Sequence, residues 1–274
     1  MTKIPCSVPI LTFNSGRTLR RCLESVRDFS DVYIFDGNSM DDTLAIAHEF
    51  GVPVYKQYET DEKNIRIKNF TEIRNKSLGP AQCDWILFLD SDEYLSEPLT
   101  AEIASALNSI MTAKVAYEIQ KKYVVKNREI LYSYNYPYWA LRLYNRRCGA
   151  AFATGKRNHE KLILPPDVNL TRLKNCFWSV LPDNYRTCVE KDKISVAMIK
   201  EDTLNPNRKK DTRLHALKIA GLYFLRAGNT IYRALQVYIR YGYKDSLPFG
   251  HIMRHVHNHL LMTWWRLQQV FLGK

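Results

Sequence analysis

The sequence predicts an α/β fold, a mostly parallel mixed sheet flanked by helices, followed by a helical and basic C-terminal region. Three observations carry that expectation. Over the first 110 residues, short apolar runs alternate with helix-like segments, the pattern of a sheet whose crossovers are helices. Residues 114–145 are dense in Tyr, Val and Ile, which favour extended structure. From Tyr185 onward the apolar period turns helical.

In chain order, Val8–Phe13 reads as the first strand, Thr18–Asp28 as a helix, Val32–Phe35 as the second strand and Asp41–Phe50 as the next helix. Val52–Tyr55 is a short third strand, Ile65–Leu78 a helix, Trp85–Leu89 a fully apolar strand and Thr100–Met111 a further helix. Right-handed crossovers make such a sheet mostly parallel. The loops Asn14–Arg17, Asp36–Asp42 and Asp90–Tyr94 then fall at the carboxyl ends of strands, where open α/β sheets bind ligands. Farther on, Pro206–Lys210 reads as a polar linker and Gly242–Gly250 as a second break.

The 274 residues are 46% hydrophobic with a mean hydropathy of −0.34, a globular composition that excludes disordered, collagen-like and coiled-coil classes. No run of about 18 apolar residues occurs, and Met1 to Pro5 begin no long apolar signal segment. The expectation is a cytoplasmic protein. Cys6, Cys22, Cys83, Cys148, Cys176 and Cys188 lack CxxC spacing, which speaks against a zinc ribbon or disulfide framework and for buried, reduced thiols.

Net charge is +12, and from Lys200 to Lys274 there are 13 Lys and Arg against 4 Asp and Glu. Such a block suits an anionic membrane surface or nucleic acid. Within it, His251–Leu272 places Ile252, Val256, Leu260, Trp264, Leu267 and Phe271 at spacings of three and four. That helix reads either as one packed on a core or as an interfacial membrane helix.

The apolar strand at Trp85 ends in Asp90-Ser91-Asp92-Glu93. In an extended exit alternate side chains face one way, so Asp90 and Asp92 could converge on one hard cation, Mg²⁺ or Mn²⁺, of the kind that bridges a diphosphate. Solvated loop acids give the same pattern. Asp36-Gly-Asn-Ser-Met-Asp41-Asp42-Thr43 follows the second strand and opens a helix, so Ser39 or Asp41 can cap its first turn. Asp36, at the strand's end, is the candidate for hydrogen-bonding a base or ribose.

Together these residues resemble family 2 glycosyltransferases of the GT-A fold. Pro9-Ile-Leu-Thr-Phe-Asn14 looks like that family's opening strand and loop, and Leu19-Arg-Arg-Cys-Leu-Glu-Ser-Val26 like its first helix. The segment from Phe35 to Thr43 looks like its nucleotide-contacting loop and Asp90-Ser-Asp92 like its metal motif, with Ile73-Arg74-Asn75 ahead of it. At lower specificity, Leu141 to Asn145, Asn158-His159-Glu160-Lys161-Leu162 and Tyr241 to Asp245 resemble the lipopolysaccharide core glucosyltransferase subgroup. Two departures stand out: Gly37 replaces a frequent second Asp, and Asn158 precedes His159 where Val is usual.

The resemblance implies inverting transfer of a sugar from a nucleotide diphosphate, expected to be a UDP-hexose, to a hydroxyl of a glycan or glycolipid in lipopolysaccharide core, capsule or related envelope synthesis. It implies a GT-A catalytic domain over 1–183, with a nucleotide-binding half of about 1–100 and an acceptor half of about 101–183, and a helical region over 184–274. Thr12, Asn14, Asp36, Arg74 and Asp90 would bind the donor. Asp90, Asp92 and His159 would hold a divalent cation, though His159 also reads as a local hydrogen-bond partner of its neighbour. Glu160 is the expected general base, with Glu93 next. The basic C-terminal region would meet the inner face of the cell membrane.

A transferase that loads sugar onto polyprenyl phosphate is the nearest alternative; its acceptor is already ionised and needs no base. A nucleotidyltransferase would need a fuller phosphate loop than Asn14-Ser-Gly-Arg17. A nucleic-acid-binding module would leave the strand-end carboxylates unexplained, and no nucleic acid partner is expected.

Overall fold

The computed structural model describes residues 3–109, 112–152, 162–204 and 212–272. It divides into two compact units, Met1–Lys121 with Tyr138–Val180, and Lys122–Pro137 with Leu181–Lys274. In the first unit β1 (Ile4–Thr12), α1 (Leu19–Ser25), β2 (Phe29–Asp36), α2 (Thr43–Glu49), β3 (Val54–Lys56), α3 (Phe70–Ser77), β4 (Trp85–Leu87), β5 (Leu89–Asp90), β6 (Glu93–Leu95) and α4 (Glu97–Ser109) follow the expected alternation. Next come β7 (Val115–Val125), whose end enters the second unit, β8 (Arg128–Ile130), β9 (Tyr138–Asn145), the short pair β10 (Ala151–Phe152) and β11 (Leu162–Ile163), and β12 (Asn169–Val180). Three helices follow in the second unit: α5 (Tyr185–Leu204), α6 (Arg213–Tyr241) and α7 (Phe249–Leu272).

The main sheet runs in the order β3-β2-β1-β4-β9-β7-β12-β6. Its first strands are parallel, and β9 turns antiparallel on β4. Alternate side chains of the parallel strands feed two cores. Val8 and Ile10 of β1, with Ile34 of β2, pack on the face covered by Leu23 of α1, Ile46 of α2 and Ile103 of α4. Leu11, Tyr33 and Phe35 pack on the other face with Ile73 of α3. This three-layer α/β arrangement leaves the carboxyl ends of β1, β2 and β5 as loops on one edge.

Three differences from the sequence reading have local causes. The expected strand Trp85–Leu89 is split: β4 pairs with β1 through Ser7↔Ile86, and β5 resumes at Ile10↔Leu89. The break faces Val8 and Pro9, and proline has no N–H to give the ladder; Phe88 N bonds instead to Arg142 O at 2.9 Å. Helix α3 starts at Phe70 rather than Ile65, because Asn69 caps it by accepting from Glu72 N at 3.3 Å, while Ile65 N is drawn to Gly37 O at 2.9 Å. Strand β12 has no counterpart in the sequence reading. Its first half is mostly exposed and carries no clean alternation, and its partner β6 lies some eighty residues away in sequence, joined through Phe177↔Leu95 and Trp178↔Tyr94.

Four of the six cysteines, Cys6, Cys22, Cys148 and Cys188, are buried. In the second unit, Thr212 caps α6 by accepting from His215 N at 3.2 Å. Gly242, at φ 81°, ends the helix in a conformation that suits glycine. Helix α7 packs against α6, and Asp192 of α5 holds α7 through Arg254 at 3.2 Å and Asn258 at 2.7 Å. Ile252 and Val256 of α7 are buried, whereas Leu260, Trp264 and Phe271 are exposed. The expected apolar stripe is thus covered only at its start, and farther along the helix the buried positions shift to Met262 and Arg266.

His255 of α7 lies against the Tyr134 ring at 5.1 Å. Burial, reinforced by Arg254, His259 and His251, pushes its pKa down to about 3. Because the unfolded chain takes up that proton near the ordinary value of about 6.5, stability is full above that pH and falls as pH drops toward 3. Urea unfolding followed by helical circular dichroism at pH 7, 5.5 and 4.5 should show a loss of up to about 1.4 kcal/mol per pH unit below 6.5. The slope should flatten in His255→Gln; an unchanged slope in that variant would assign the acid sensitivity elsewhere.

Candidate active site

Two loops at the carboxyl edge of the sheet are tied together. After β1 the chain turns through Asn14 at φ 47°, a left-handed conformation that asparagine tolerates better than most residues. Asn14 Oδ1 accepts from Met40 N at 2.9 Å, and its Nδ2 donates to Asn64 Oδ1 at 2.9 Å. Ser39 Oγ accepts from Asn14 N at 2.8 Å and donates to Asp36 Oδ1 at 2.6 Å. Asp36 is buried, and it also accepts from Thr12 Oγ1 at 2.7 Å and from Ser39 N at 2.7 Å. Its carboxylate is therefore committed to bracing Thr12 and the loop after β2.

The expected caps of α2 are rearranged. Ser39 turns back to Asp36, and Asp41 accepts from Thr43 N at 3.0 Å and Gly16 N at 2.8 Å. Burial alone would raise the Asp41 carboxyl, but hydrogen bonds from Thr43 and Gly16 hold it below its ordinary value. Gly37 has no room for a side chain: a Cβ there would lie 2.5 Å from the Ile65 carbonyl oxygen. That close approach, and the strand-like bonds of Asn64 N to Asn38 O at 3.0 Å and Ile65 N to Gly37 O at 2.9 Å, account for glycine at this position.

The exit from β5 is a tight turn rather than the extended run expected, so the alternate-face argument for Asp90 and Asp92 does not apply. Asp90 ends β5, Asp92 sits half-buried in the turn with its carbonyl accepting from Val180 N at 2.7 Å, and Glu93 opens β6. Ser91 Oγ lies 2.8 Å from Ser15 Oγ and links this turn to the loop after β1. Asp90 is paired with Arg74 of α3, and its other oxygen lies 3.4 Å from Arg142 of β9. Burial pushes the Asp90 carboxyl up, but Arg74, Arg142 and Lys121 outweigh it and hold the carboxyl below the usual range.

Glu93, the second candidate base, has 0% side-chain exposure and accepts from Lys121 Nζ at 2.8 Å, Arg142 at 2.8 Å and Asp90 N at 3.1 Å. A carboxylate so enclosed orients its neighbours and does not face a ligand. Among the described residues, no three His, Cys, Asp or Glu side chains converge on a possible metal. His159 and Glu160, with Asn158, lie outside the described residues.

Asp90, Arg74 and Arg142 open into a cavity of about 930 Å³, lined also by Phe88, Trp139 and Phe152. The Arg172 guanidinium stands 4.7 Å from the Trp139 ring centroid and is held by Glu118 at 3.0 Å. Lys121, Arg142 and Trp139 carry this site although the sequence reading does not single them out as site residues. For Arg142 the available signal is a basic residue inside the otherwise apolar extended run from Tyr138 to Tyr144, which needs a buried anion as its partner.

Residues 7–158 match the family model described as Glycosyl transferase family 2. The chain belongs to that family. An uncharacterized glycosyltransferase of Rickettsia conorii is 30% identical to this family 2 chain over 167 residues, 58% of the chain and 55% of the relative. The SPbeta prophage-derived glycosyltransferase SunS of Bacillus subtilis is 31% identical over 96 residues, 35% of the chain and 22% of the relative. The matches thus span between about a fifth and about half of these curated relatives. The crystal structure of S. aureus TarS 1-349 in complex with UDP-GlcNAc superposes with a TM-score of 0.50 at 14% identity, over 96% of this chain and 91% of that one. The fold of this family 2 chain is accordingly GT-A, with its helical C-terminal region present.

Removing one partner from a buried ion pair leaves the others uncompensated, at a cost of about 3 to 5 kcal/mol. Glu93→Gln should therefore lose roughly 3 kcal/mol in urea unfolding, whereas Asp92→Asn, half-buried in the turn, should stay within about 1 kcal/mol of the parent. Equal unfolding midpoints for the two variants would refute the bracing role of Glu93.

Proposed function

We propose that this chain transfers a sugar from a nucleoside diphosphate donor, a UDP-hexose, to a hydroxyl of a glycan or glycolipid acceptor, with inversion at the anomeric carbon. The observation that carries the reading is the pairing of Asp90 with two guanidiniums, Arg74 and Arg142, at the mouth of a cavity on the carboxyl edge of the sheet. Arginine forks suit diphosphate oxygens, and the Arg142 Nε is buried with no hydrogen-bond partner among the described residues. TarS, which shares the fold, was crystallised as a complex with UDP-GlcNAc, and this supports a uridine donor.

In this reading Asn14, with Thr12 and Asp36 behind it, shapes the wall of the donor pocket, and Arg74, Arg142 and Asp90 address the diphosphate. Asp90 and Asp92 are hard oxygen donors of the kind that Mn²⁺ or Mg²⁺ takes. A divalent cation there would be held by Asp90 and Asp92, with His159 as a further ligand, and would supply charge neutralisation at the departing diphosphate. Glu160 takes the acceptor proton as the acceptor oxygen bonds to the anomeric carbon and the sugar–phosphate bond breaks, its electron pair leaving with the nucleoside diphosphate.

The acceptor belongs to lipopolysaccharide core, capsule or a related envelope glycan, supported by the resemblance of residues 141–145 and 158–162 to the core glucosyltransferase subgroup. The C-terminal region, rich in Lys and Arg, meets the inner face of the cell membrane where a lipid-linked acceptor resides. A polyprenyl-phosphate acceptor is the second reading, favoured by the same basic region.

The test is release of free nucleoside diphosphate from a panel of nucleotide sugars with Mn²⁺, with and without a bacterial membrane extract. One UDP-sugar should be turned over, faster with the extract, and Asp90→Ala or Asp92→Ala should reduce release by about 100-fold or more, the scale of losing a preorganised electrostatic group. Glu160→Gln should abolish transfer to a hydroxyl; full activity of that variant would favour the phosphate acceptor. No release from any donor by the folded chain would overturn the transferase reading.

A further inference from the structure

Helix α6 carries its bulk on the side away from its neighbours. The buried face is Ala216, Ala220, Ala227, Thr230, Ala234 and Val237, small side chains that let α7 approach closely. Its large apolar residues point elsewhere. Leu217, Phe224, Leu225, Ile231, Leu235 and Ile239 are exposed, Leu225 at 67% and Ile239 at 86%. On a helix of 3.6 residues per turn these six fall within an arc of about 120°, along a helix of 29 residues. Gly221 and Gly228 lie in the same arc and have nothing within 4 Å of the point a Cβ would occupy. Contiguous apolar surface of this extent marks an interaction face.

Charge says what the face meets. Lys218, Arg226, Arg233 and Arg240 are exposed along one flank of the arc, and no Asp or Glu occurs anywhere between residues 212 and 244. A second copy docked face to face would bring two wholly basic flanks together, an arrangement that costs association. A nucleic acid would match the flank and leave the apolar arc in water. A surface that is apolar below and anionic above satisfies both. Among the described residues no helix is long and apolar enough to cross a membrane, so the fitting geometry is a helix lying in the plane of the interface.

We propose that the Leu217–Ile239 face of α6 is a docking surface for an anionic lipid bilayer, its apolar arc at the boundary of headgroups and acyl chains and its basic flank on the lipid phosphates. This deepens the membrane contact proposed above and rests on it, assigning the contact to α6 rather than to the Trp-bearing end of α7. It does not depend on the chemistry of the cavity.

The test is co-sedimentation of the whole chain with vesicles of phosphatidylcholine, with and without phosphatidylglycerol, at low and high salt. The parent should bind the anionic vesicles, less at high salt and less without phosphatidylglycerol. Leu225→Glu/Ile239→Glu should bind at least about tenfold more weakly with an unchanged helical spectrum, since both positions are exposed. Trp264→Ala on α7 should change binding far less. Failure of the parent to bind would overturn the membrane contact itself. Binding by the double variant equal to the parent, or loss confined to Trp264→Ala, would overturn the assignment to α6 alone. A parent dimer that Leu225→Glu/Ile239→Glu converts to monomer would identify the face as a self-interface instead. Vesicle binding needs no donor sugar, so none of these outcomes is confused with loss of turnover.

Discussion

Five charged side chains packed at the edge of the sheet constrain the first unit more than any other feature. Glu93 is enclosed and must be paired, because an isolated buried carboxylate is too costly to keep; Lys121 and Arg142 supply the charge, and Arg142 and Arg74 then share Asp90. The five residues come from α3, β5, β6, β7 and β9. The cluster forms only when the parallel and antiparallel halves of the sheet have joined in register. Once formed, it fixes the turn that carries Asp92, so the position of the half-buried acid depends on the pairing of the hidden one.

The loops after β1 and β2 are held on a different principle. Thr12, Asn14, Asp36, Ser39 and Asn64 are neutral or singly charged groups that satisfy one another across three loops. Such a network gives shape without strong field, while the arginines that line the cavity give field with little shape.

The parallel half of the fold is legible in the sequence because its central strands, β1 and β4, are buried on both faces and its helices begin and end at polar punctuation. The antiparallel half is less so. Strand β12 pairs with β6 across a separation that local pattern cannot report, and its exposed first half hides the alternation. The site divides in the same way. Asp90, Asp92, Asn14 and Arg74 stand at strand ends or on the helix before them, where the motif order points, and the structure brings Arg74 and Asp90 into contact. Glu93 reads as a spare carboxylate in a polar loop; only its three partners, contributed in part by β7 and β9, reveal that it is internal. In the second unit, the apolar period of α7 is plain in the sequence, but period alone cannot say which stripe is covered. On α6 the covered stripe is the one made of alanines.

The contact between Gly37 and the Ile65 carbonyl has a consequence for how this protein can diversify. A side chain at 37 would unseat the 64–65 segment, and with it the Asn64 partner of Asn14. Substitution of Gly37 is therefore a closed route to reshaping the loop after β2. Any change to the segment from Gln57 to Asn69 has to keep the Ile65 backbone seated against Gly37. A library built for new donor preference should vary that loop in length and sequence together, leaving Gly37 fixed as the hinge against which each new loop is laid.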